Sequence, residues 1–436
     1  MAEIKVTYVD LNSLKAYQNN PKDHPQKQVH QIADSIKKFG FNNPILIDEN
    51  NEIIAGHGRY MAAQQLQMET VPVIRLTHLD ETQKRVYRLA DNKISENGGW
   101  NKELLALEIS DLEQIYVDDI TITGFEQVEI NNLITDTTPT PDKRLNKIEF
   151  VPEDEIVTQP GDIWQLGRHK IICANSLDED SFSRLLSDKR ADMVIQDPPY
   201  NVKISGHVCG CGNIRHDEFP MASGEMSPEE FTKFLTDNFT LCQKYSNDGA
   251  MQYNFMDWRH ITEIKTALDS VFGDFINLCV WVKTSGGMGS LYRSQHELCF
   301  VYKNGDAPNV NNIQLGKYGR YRTNVWNYAG VNSFGVHRDD LKMHPTVKPV
   351  EMIRDAILDV TNLHDTVLDS FLGSGSTLIA CEQIERTCFG IELEPKYIDT
   401  TIRRFQKLFG TDAVNISNGK TYNELLQEKK DGIQQQ

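Results

Sequence analysis

The chain has 436 residues, of which 39% are apolar and 25% charged, and a formal net charge of −17. That length supplies two or three domains with cores of their own, and the composition is that of a soluble globular protein. No run of about 18 apolar residues occurs, which argues against a membrane span, and the acidic balance argues against indiscriminate nucleic-acid binding while allowing a local basic face.

The opening residues Met1-Ala2-Glu3-Ile4-Lys5 carry no basic segment followed by an apolar one, so no secretory signal is expected and the location is read as cytoplasmic. Over the first hundred residues the predicted order is strand, helix, strand, turn, strand, helix, strand. Pro44-Ile45-Leu46-Ile47 and Glu52-Ile53-Ile54 flank the turn Asp48-Glu49-Asn50-Asn51, and Val71-Pro72-Val73-Ile74 closes the set. Between them Gly56-His57-Gly58-Arg59 opens a helix running from Tyr60 to Leu66. Glycines at a helix start let backbone N–H groups face an anion, and Arg59 adds a charge. A plain helix cap with a surface arginine explains the same four residues.

This layout, with Gly56-His57-Gly58-Arg59-Tyr60-Met61-Ala62-Ala63 at its centre, resembles the ParB/sulfiredoxin-like fold over roughly residues 3–100. ParB proteins carry Glu-Arg-Arg after the loop glycine where His57-Gly58-Arg59 stands here, and sulfiredoxins need a cysteine that this loop lacks. The resemblance therefore implies an accessory DNA-docking module rather than nucleotide hydrolysis or reductase activity. A further helical stretch follows Gly98-Gly99-Trp100, with Leu104, Leu105, Leu107 and Ile109 expected in its core. The α+β module is placed at 1–134. A polar, proline-bearing linker at 135–147 separates it from a larger domain at 148–425.

Met193-Val194-Ile195 reads as a short buried strand that must end at Asp197-Pro198-Pro199-Tyr200, because two prolines cannot continue it. In open α/β sheets ligands bind at the carboxyl ends of strands. A carboxylate, a proline carbonyl and an aromatic ring within four residues suit an exocyclic amine on a flat base. Asp197 and the Pro198 carbonyl accept its two hydrogens, while Tyr200 stacks on the ring. A ligand-free Pro-Pro turn remains the other reading of this tetrapeptide taken alone.

Downstream, Val367-Leu368-Asp369 reads as a second buried strand, followed by the glycine-rich turn Phe371-Leu372-Gly373-Ser374-Gly375 and a helix opening at Ser376. Gly373 and Gly375 permit close backbone approach to a ligand. A third strand, Cys388-Phe389-Gly390-Ile391, ends in Glu392, an acid about 20 residues on that suits a ribose diol. The dinucleotide pattern G-x-G-x-x-G is absent, so a nucleoside without pyrophosphate is the better match. Between these segments His344-Pro345-Thr346-Val347-Lys348-Pro349 precedes a helix, with Val350, Ile353 and Ile357 at core-facing spacing. Thr346 and Lys348 at its mouth are candidates to meet a ligand carboxylate.

Together these motifs resemble the amino DNA methyltransferases of the permuted beta class over roughly residues 155–410. In that class the Asp-Pro-Pro-Tyr motif precedes the Phe-x-Gly-x-Gly motif, as here. The resemblance implies an α/β, Rossmann-like methyltransferase domain using S-adenosyl-L-methionine. It implies catalytic roles for Asp197, Pro198, Pro199 and Tyr200. Asp369, Phe371, Gly373, Gly375, Ser376 and Glu392 would line the cofactor, with Thr346 and Lys348 at its methionine end and Asn175 at its adenine. Two departures stand out. Ser370 occupies the place of a usual proline, and Asn175 that of a usual aspartate.

From Val280 to Lys348 there are nine lysines and arginines against four acids, whereas residues 1–150 hold 16 basic and 23 acidic residues. Aromatics interleave with this charge, so 284–340 is read as the target-recognition region, with Lys283, Arg293, Lys317, Arg320 and Arg322 as DNA contacts. The segment Ile204–Met226, with His207, Arg215 and His216, is read as a loop closing over a flipped base. The eight cysteines, all at or after Cys173, are read as reduced thiols. Cys209-Gly210-Cys211 has no partner pair, so no metal is expected. The expected partner is double-stranded DNA, with a homodimer left open and no membrane. The expected reaction is methyl transfer to adenine N6, because N4-cytosine enzymes more often carry serine at the first motif position. N4-cytosine methylation and a catalytically idle ParB-like DNA-binding protein are the alternatives.

Overall fold

The computed structural model describes residues 4–115, 119–136, 143–202, 224–284, 286, 291–317, 320–330 and 347–434. The chain forms two compact units, Met1–Thr137 and Thr138–Gln436.

The first unit runs β1 (Val6–Asp10), α1 (Gln26–Phe39), β2 (Ile45–Ile47), β3 (Ile53–Ala55), α2 (His57–Gln65), β4 (Thr70–Arg75), α3 (Glu81–Glu96), α4 (Lys102–Ile115) and α5 (Gln127–Asp136). Its four strands lie in the order β1-β4-β2-β3, with β4 parallel to β2 and the outer pairs antiparallel. Ile45, Ile47, Ile53, Val71 and Val73 are fully buried against Ala63 of α2, as the alternating apolar pattern predicts. In α4 the core face is Leu105, Ala106, Ile109 and Leu112. Leu104 and Leu107, expected inside, are 64% and 62% exposed, because at about 3.6 residues per turn they fall off the face shared by Leu105, Ile109 and Leu112.

The second unit contains β5 (Ile163–Leu166), β6 (His169–Cys173), α6 (Glu179–Leu186), β7 (Ala191–Gln196), α7 (Pro228–Lys244), β8 (Ser246–Met256), α8 (Ile261–Val271), β9 (Asp274–Val282), β10 (His296–Lys303), β11 (Val325–Asn327), α9 (Val350–Val360), β12 (Thr366–Asp369), α10 (Ser376–Gln383), β13 (Thr387–Glu392), α11 (Pro395–Phe409), β14 (Ala413–Asn415) and α12 (Tyr422–Gln434). Ten strands form one sheet in the order β11-β9-β10-β8-β7-β12-β13-β6-β5-β14. The centre, β8-β7-β12-β13-β6, is parallel. Successive residues of β7 serve opposite faces. Met193 and Ile195 join the core with α9, α10 and α11, while Val194 joins the one with α6 and α7. Helices therefore cover both faces, which explains why these strands read as continuous apolar runs.

β7 and β12 are neighbours, but the chain leaves β7 towards β8 on one side and leaves β12 towards β13 on the other. A crevice opens at such a reversal, beyond the carboxyl ends of the strands. The two motif loops that begin at Asp197 and Ser370 both emerge there.

The stretch read as linker ends earlier than expected. Leu145 is buried in the main core and Asn146 accepts a hydrogen bond from the Val350 N–H at 2.9 Å, so residues from Lys143 onward belong to the second unit. The preceding residues 137–142 lie outside the described residues, as do Thr346, Cys209, Cys211, His207, Arg215, His216 and the His344-Pro345 pair. The six described cysteines are free thiols. Among the described residues, no helix is long and apolar enough to cross a membrane.

Candidate active site

A cavity of about 260 Å³ occupies the crevice. Its walls bring together residues far apart in sequence: Asp197, Pro198, Pro199 and Tyr200 after β7, Asp257 and Arg259 after β8, Lys348 before α9, Asp369 ending β12, Phe371 and Gly373 after it, Ser376 at the start of α10, and Glu392 ending β13.

The glycine turn is built from its own hydrogen bonds. Asp369 Oδ1 accepts the Phe371 N–H at 3.0 Å and Oδ2 accepts the Thr377 hydroxyl at 2.6 Å, tying strand end to helix start. Glu392 Oε2 accepts the Gly373 N–H at 2.8 Å, and Oε1 accepts the Glu394 N–H at 2.9 Å. Burial pushes both acids up, each to about 7, against the pull of these donors. Each Glu392 oxygen keeps a second lone pair for a ligand hydroxyl. The donor set and the apolar wall of Phe371 and Leu372 fit a nucleoside.

Gly375, expected against the ligand, lies outside the cavity lining. At φ 81° it caps α10, and a Cβ there would fall 2.5 Å from Thr401 Cγ2, so this glycine serves helix packing. Asn175 is likewise absent from the wall. Its side chain accepts the Leu177 N–H at 3.0 Å, and its neighbours Ala174 and Ser176 face the cavity instead. Ser370 earns its place through a hydroxyl bonded to Gln196 Oε1, while Asn238 Nδ2 donates to Ser370 Oγ at 3.1 Å and to the Ser176 carbonyl at 3.0 Å. A proline at 370 would make neither of the Ser370 bonds, the first of which ties the end of β7 to the end of β12.

The largest departure concerns Lys348. Expected at the methionine end of the cofactor, it is ion-paired with Asp197 Oδ2 and lies 3.0 Å from Glu297 Oε2. The Tyr200 hydroxyl donates to Asp197 Oδ1 at 2.5 Å and lies 3.2 Å from Glu297 Oε2. Glu297 also pairs with Lys283 through its other oxygen. Burial raises the Glu297 carboxyl, but the two lysines outweigh it and hold it at about 2. Burial raises Asp197 above the ordinary carboxylate range, opposed by Lys348. Glu297 was missed by motif reading, although an acid inside the apolar run His296–Lys303 is a visible anomaly.

Three of the expected DNA contacts are committed elsewhere. Arg320 and Arg322 donate to Asp359 at 2.7 and 3.0 Å, and Arg322 also donates to the Tyr328 hydroxyl at 2.7 Å. Lys283 is held by Glu297. These side chains satisfy buried acids rather than offering charge to phosphate. Two strands of the sheet, β10 and β11, also fall within 284–340, and Trp326 of β11 is buried. Arg293 and Lys317 remain on the surface, near the exposed Leu291, Tyr292 and Tyr321.

In the first unit, Gly56 caps α2 at φ 102°, and a Cβ there would lie 2.8 Å from the Arg59 guanidinium. Gly58 is buried against Ile32 and His24. His57 turns inward, its Nε2 accepting the Tyr17 N–H at 3.3 Å. Burial pushes its imidazole down to about 4, so it is a neutral acceptor rather than an anion ligand.

Residues 191–403 match a family profile described as DNA methylase, residues 1–93 one described as ParB N-terminal domain, and residues 103–160 one described as ParB-methyltransferase HTH domain. The last covers α4 and α5, where the sequence predicts one helical stretch at the end of the preceding module. The ParB-like nuclease domain-containing protein YnaK of Escherichia coli (strain K12) is 51% identical over 83 residues, 19% of this chain and 95% of that protein. The type II methyltransferase M.HpaI of Haemophilus parainfluenzae is 24% identical over 59% of this chain and 80% of its own length. Among solved structures, the M1.HpyAVI–SAM complex is 21% identical, with a TM-score of 0.38 over 54% of this chain and 98% of that one. Both motif loops meet at one crevice inside the stretch that matches the DNA methylase profile, so the chain carries an N6/N4 DNA methylase domain behind a ParB N-terminal domain.

Proposed function

We propose that the protein transfers a methyl group from S-adenosyl-L-methionine to the N6 amine of adenine in double-stranded DNA. The observation that carries this reading is the meeting of Asp197-Pro198-Pro199-Tyr200 with Phe371, Gly373 and Glu392 in one cavity. When bound, the cofactor supplies an electrophilic sulfonium methyl. Phe371, Gly373 and Ser376 would line it and Glu392 would hold its ribose, which the two free lone pairs of Glu392 support.

Asp197 and the Pro198 carbonyl accept the two hydrogens of the target amine. The amine lone pair is conjugated with the ring, and holding both hydrogens out of plane frees it for attack. Tyr200 stacks on the base. Positioning of this kind supplies up to about 7–11 kcal/mol in favourable intramolecular systems. The base must leave the duplex at a cost of a few kcal/mol, and stacking on Tyr200 returns about 1–3. Aspartate at the first motif position favours adenine over cytosine. The ParB domain docks the protein on DNA, with Arg59 beside Gly56 as its anion contact, and Arg293 and Lys317 meet phosphate near the target. Sequencing with modified-base detection on DNA from cells expressing the chain tests the reading. N6-methyladenine at a defined motif, lost in Asp197→Ala, supports it, and unmodified DNA from the wild type rejects it.

A further inference from the structure

Asp197 is the one carboxylate read as accepting an amine hydrogen, yet a second buried carboxylate, Glu297, shares its ammonium. Lys348 Nζ bridges Asp197 and Glu297, and the Tyr200 hydroxyl reaches both acids. Glu297 comes from β10, two strands from β7, and its second oxygen is anchored by Lys283, just past the end of β9. The four charges, two acids and two bases, sum to zero, so no member of the set is left uncompensated.

Consider Asp197 with Lys348 as its sole partner. That contact ion pair would hold Oδ2, while the Tyr200 hydroxyl engages Oδ1, and an incoming amine would compete with the ammonium for the carboxylate's charge. A second carboxylate removes the difficulty, because the ammonium shifts towards Glu297 without losing its compensation. We infer that Glu297 is a positioning residue for methyl transfer: it gives the Lys348 ammonium a second seat, so that Asp197 stays ionised and oriented but yields a lone pair to the target amine. This rests on the reading of Asp197 as the amine acceptor.

The inference makes opposite predictions for the two partners of Asp197. Its charged surroundings are Lys348 before α9, Glu297 on β10, Lys283 after β9, Asp369 ending β12 and Glu392 ending β13. Asp257 and Arg259 after β8 are bonded to each other at 2.6 Å. Removing Glu297 deletes a like charge and leaves the lysine wholly to Asp197. Removing Lys348 deletes the stabilising cation.

The experiment measures kcat against pH for the full-length protein, with methyl-labelled S-adenosylmethionine and unmethylated bacterial genomic DNA. For Glu297→Gln we expect kcat to fall by about tenfold or more and the acid limb to move to lower pH, while for Lys348→Met the acid limb moves about one unit or more to higher pH. KM for the cofactor should stay within about twofold in both, and Glu297→Asp should recover part of the rate. Shifts in the same direction, or no shift in either variant, overturn the inference. Should Glu297→Gln fail to bind cofactor, an unmoved acid limb in Lys348→Met overturns it alone. A wild-type protein that methylates no base would instead reject the reading of Asp197 itself.

Discussion

Replacing Glu392 by glutamine should weaken S-adenosylmethionine binding at pH 8 by roughly 10- to 100-fold, the equivalent of losing about 1.5–3 kcal/mol for hydrogen bonds to a charged acceptor. The carboxylate is already the organiser of its loop, accepting the N–H groups of Gly373 and Glu394. Glutamine retains one acceptor and turns an NH₂ towards the other donor, so both the loop and the ribose contact suffer. The wild-type protein should show a matching pH dependence, because burial pushes this carboxyl up to about 7. A diol that donates its hydrogens selects the ionised form, which is about nine-tenths populated at pH 8 and about one-tenth at pH 6. The apparent Kd should therefore rise roughly tenfold from pH 8 to pH 6. The sign for stability runs the other way. A carboxyl whose folded value lies above its ordinary value stabilises the fold below that ordinary value, and this contribution is lost as pH rises through about 7. Cofactor-free protein should thus melt lower at pH 8 than at pH 6. Asp369 contributes in the same window, because burial raises it to about 7 as well. Isothermal titration calorimetry at the two pH values is the assay. A wild-type Kd unmoved by pH, or an unchanged Kd in Glu392→Gln, would refute the reasoning.

Arg320→Ala should act on stability rather than on DNA. It strips a partner from the buried Asp359, which breaking a buried pair prices at about 3 kcal/mol, or a Tm roughly 6 °C or more lower by calorimetry. Arg293→Ala should leave Tm unchanged and reduce the slope of log K against log salt for DNA binding by about one, measured by fluorescence anisotropy. Tyr200→Phe keeps the ring but removes the hydroxyl from Asp197, so base stacking should survive. Tyr200→Ala should cost about 1–3 kcal/mol in binding DNA with an extruded base, read from 2-aminopurine fluorescence. Ser370→Ala should lower Tm, because Gln196 Oε1 loses its hydroxyl donor and the ends of β7 and β12 lose a tie.

The parts of this molecule legible in the sequence are those where local pattern and tertiary role coincide. Met193-Val194-Ile195 followed by two prolines fixes both a strand and its end, and the glycine turn after Asp369 fixes a strand, loop and helix. What was illegible depended on pairing across the sheet. Arg320 and Arg322 look like phosphate ligands until Asp359 of α9 is brought beneath them. Lys348 looks like an anion ligand for the cofactor until β10 delivers Glu297. The motif positions of Gly375 and Asn175 point to the ligand. The backbone instead spends one on packing against Thr401 and the other on the Leu177 N–H. Charge and glycine mark a region as special, whereas the element opposite decides what they touch.

The central claim, that Asp197 presents an adenine amine for methylation, is tested most directly by nucleoside mass spectrometry. Purified protein, unmethylated DNA and methyl-labelled S-adenosylmethionine are incubated together, with Asp197→Ala in parallel. The account predicts labelled N6-methyladenine from the wild type and none from the variant, which should still bind the cofactor. Label appearing in N4-methylcytosine instead, or N6-methyladenine formed equally by Asp197→Ala, would contradict it.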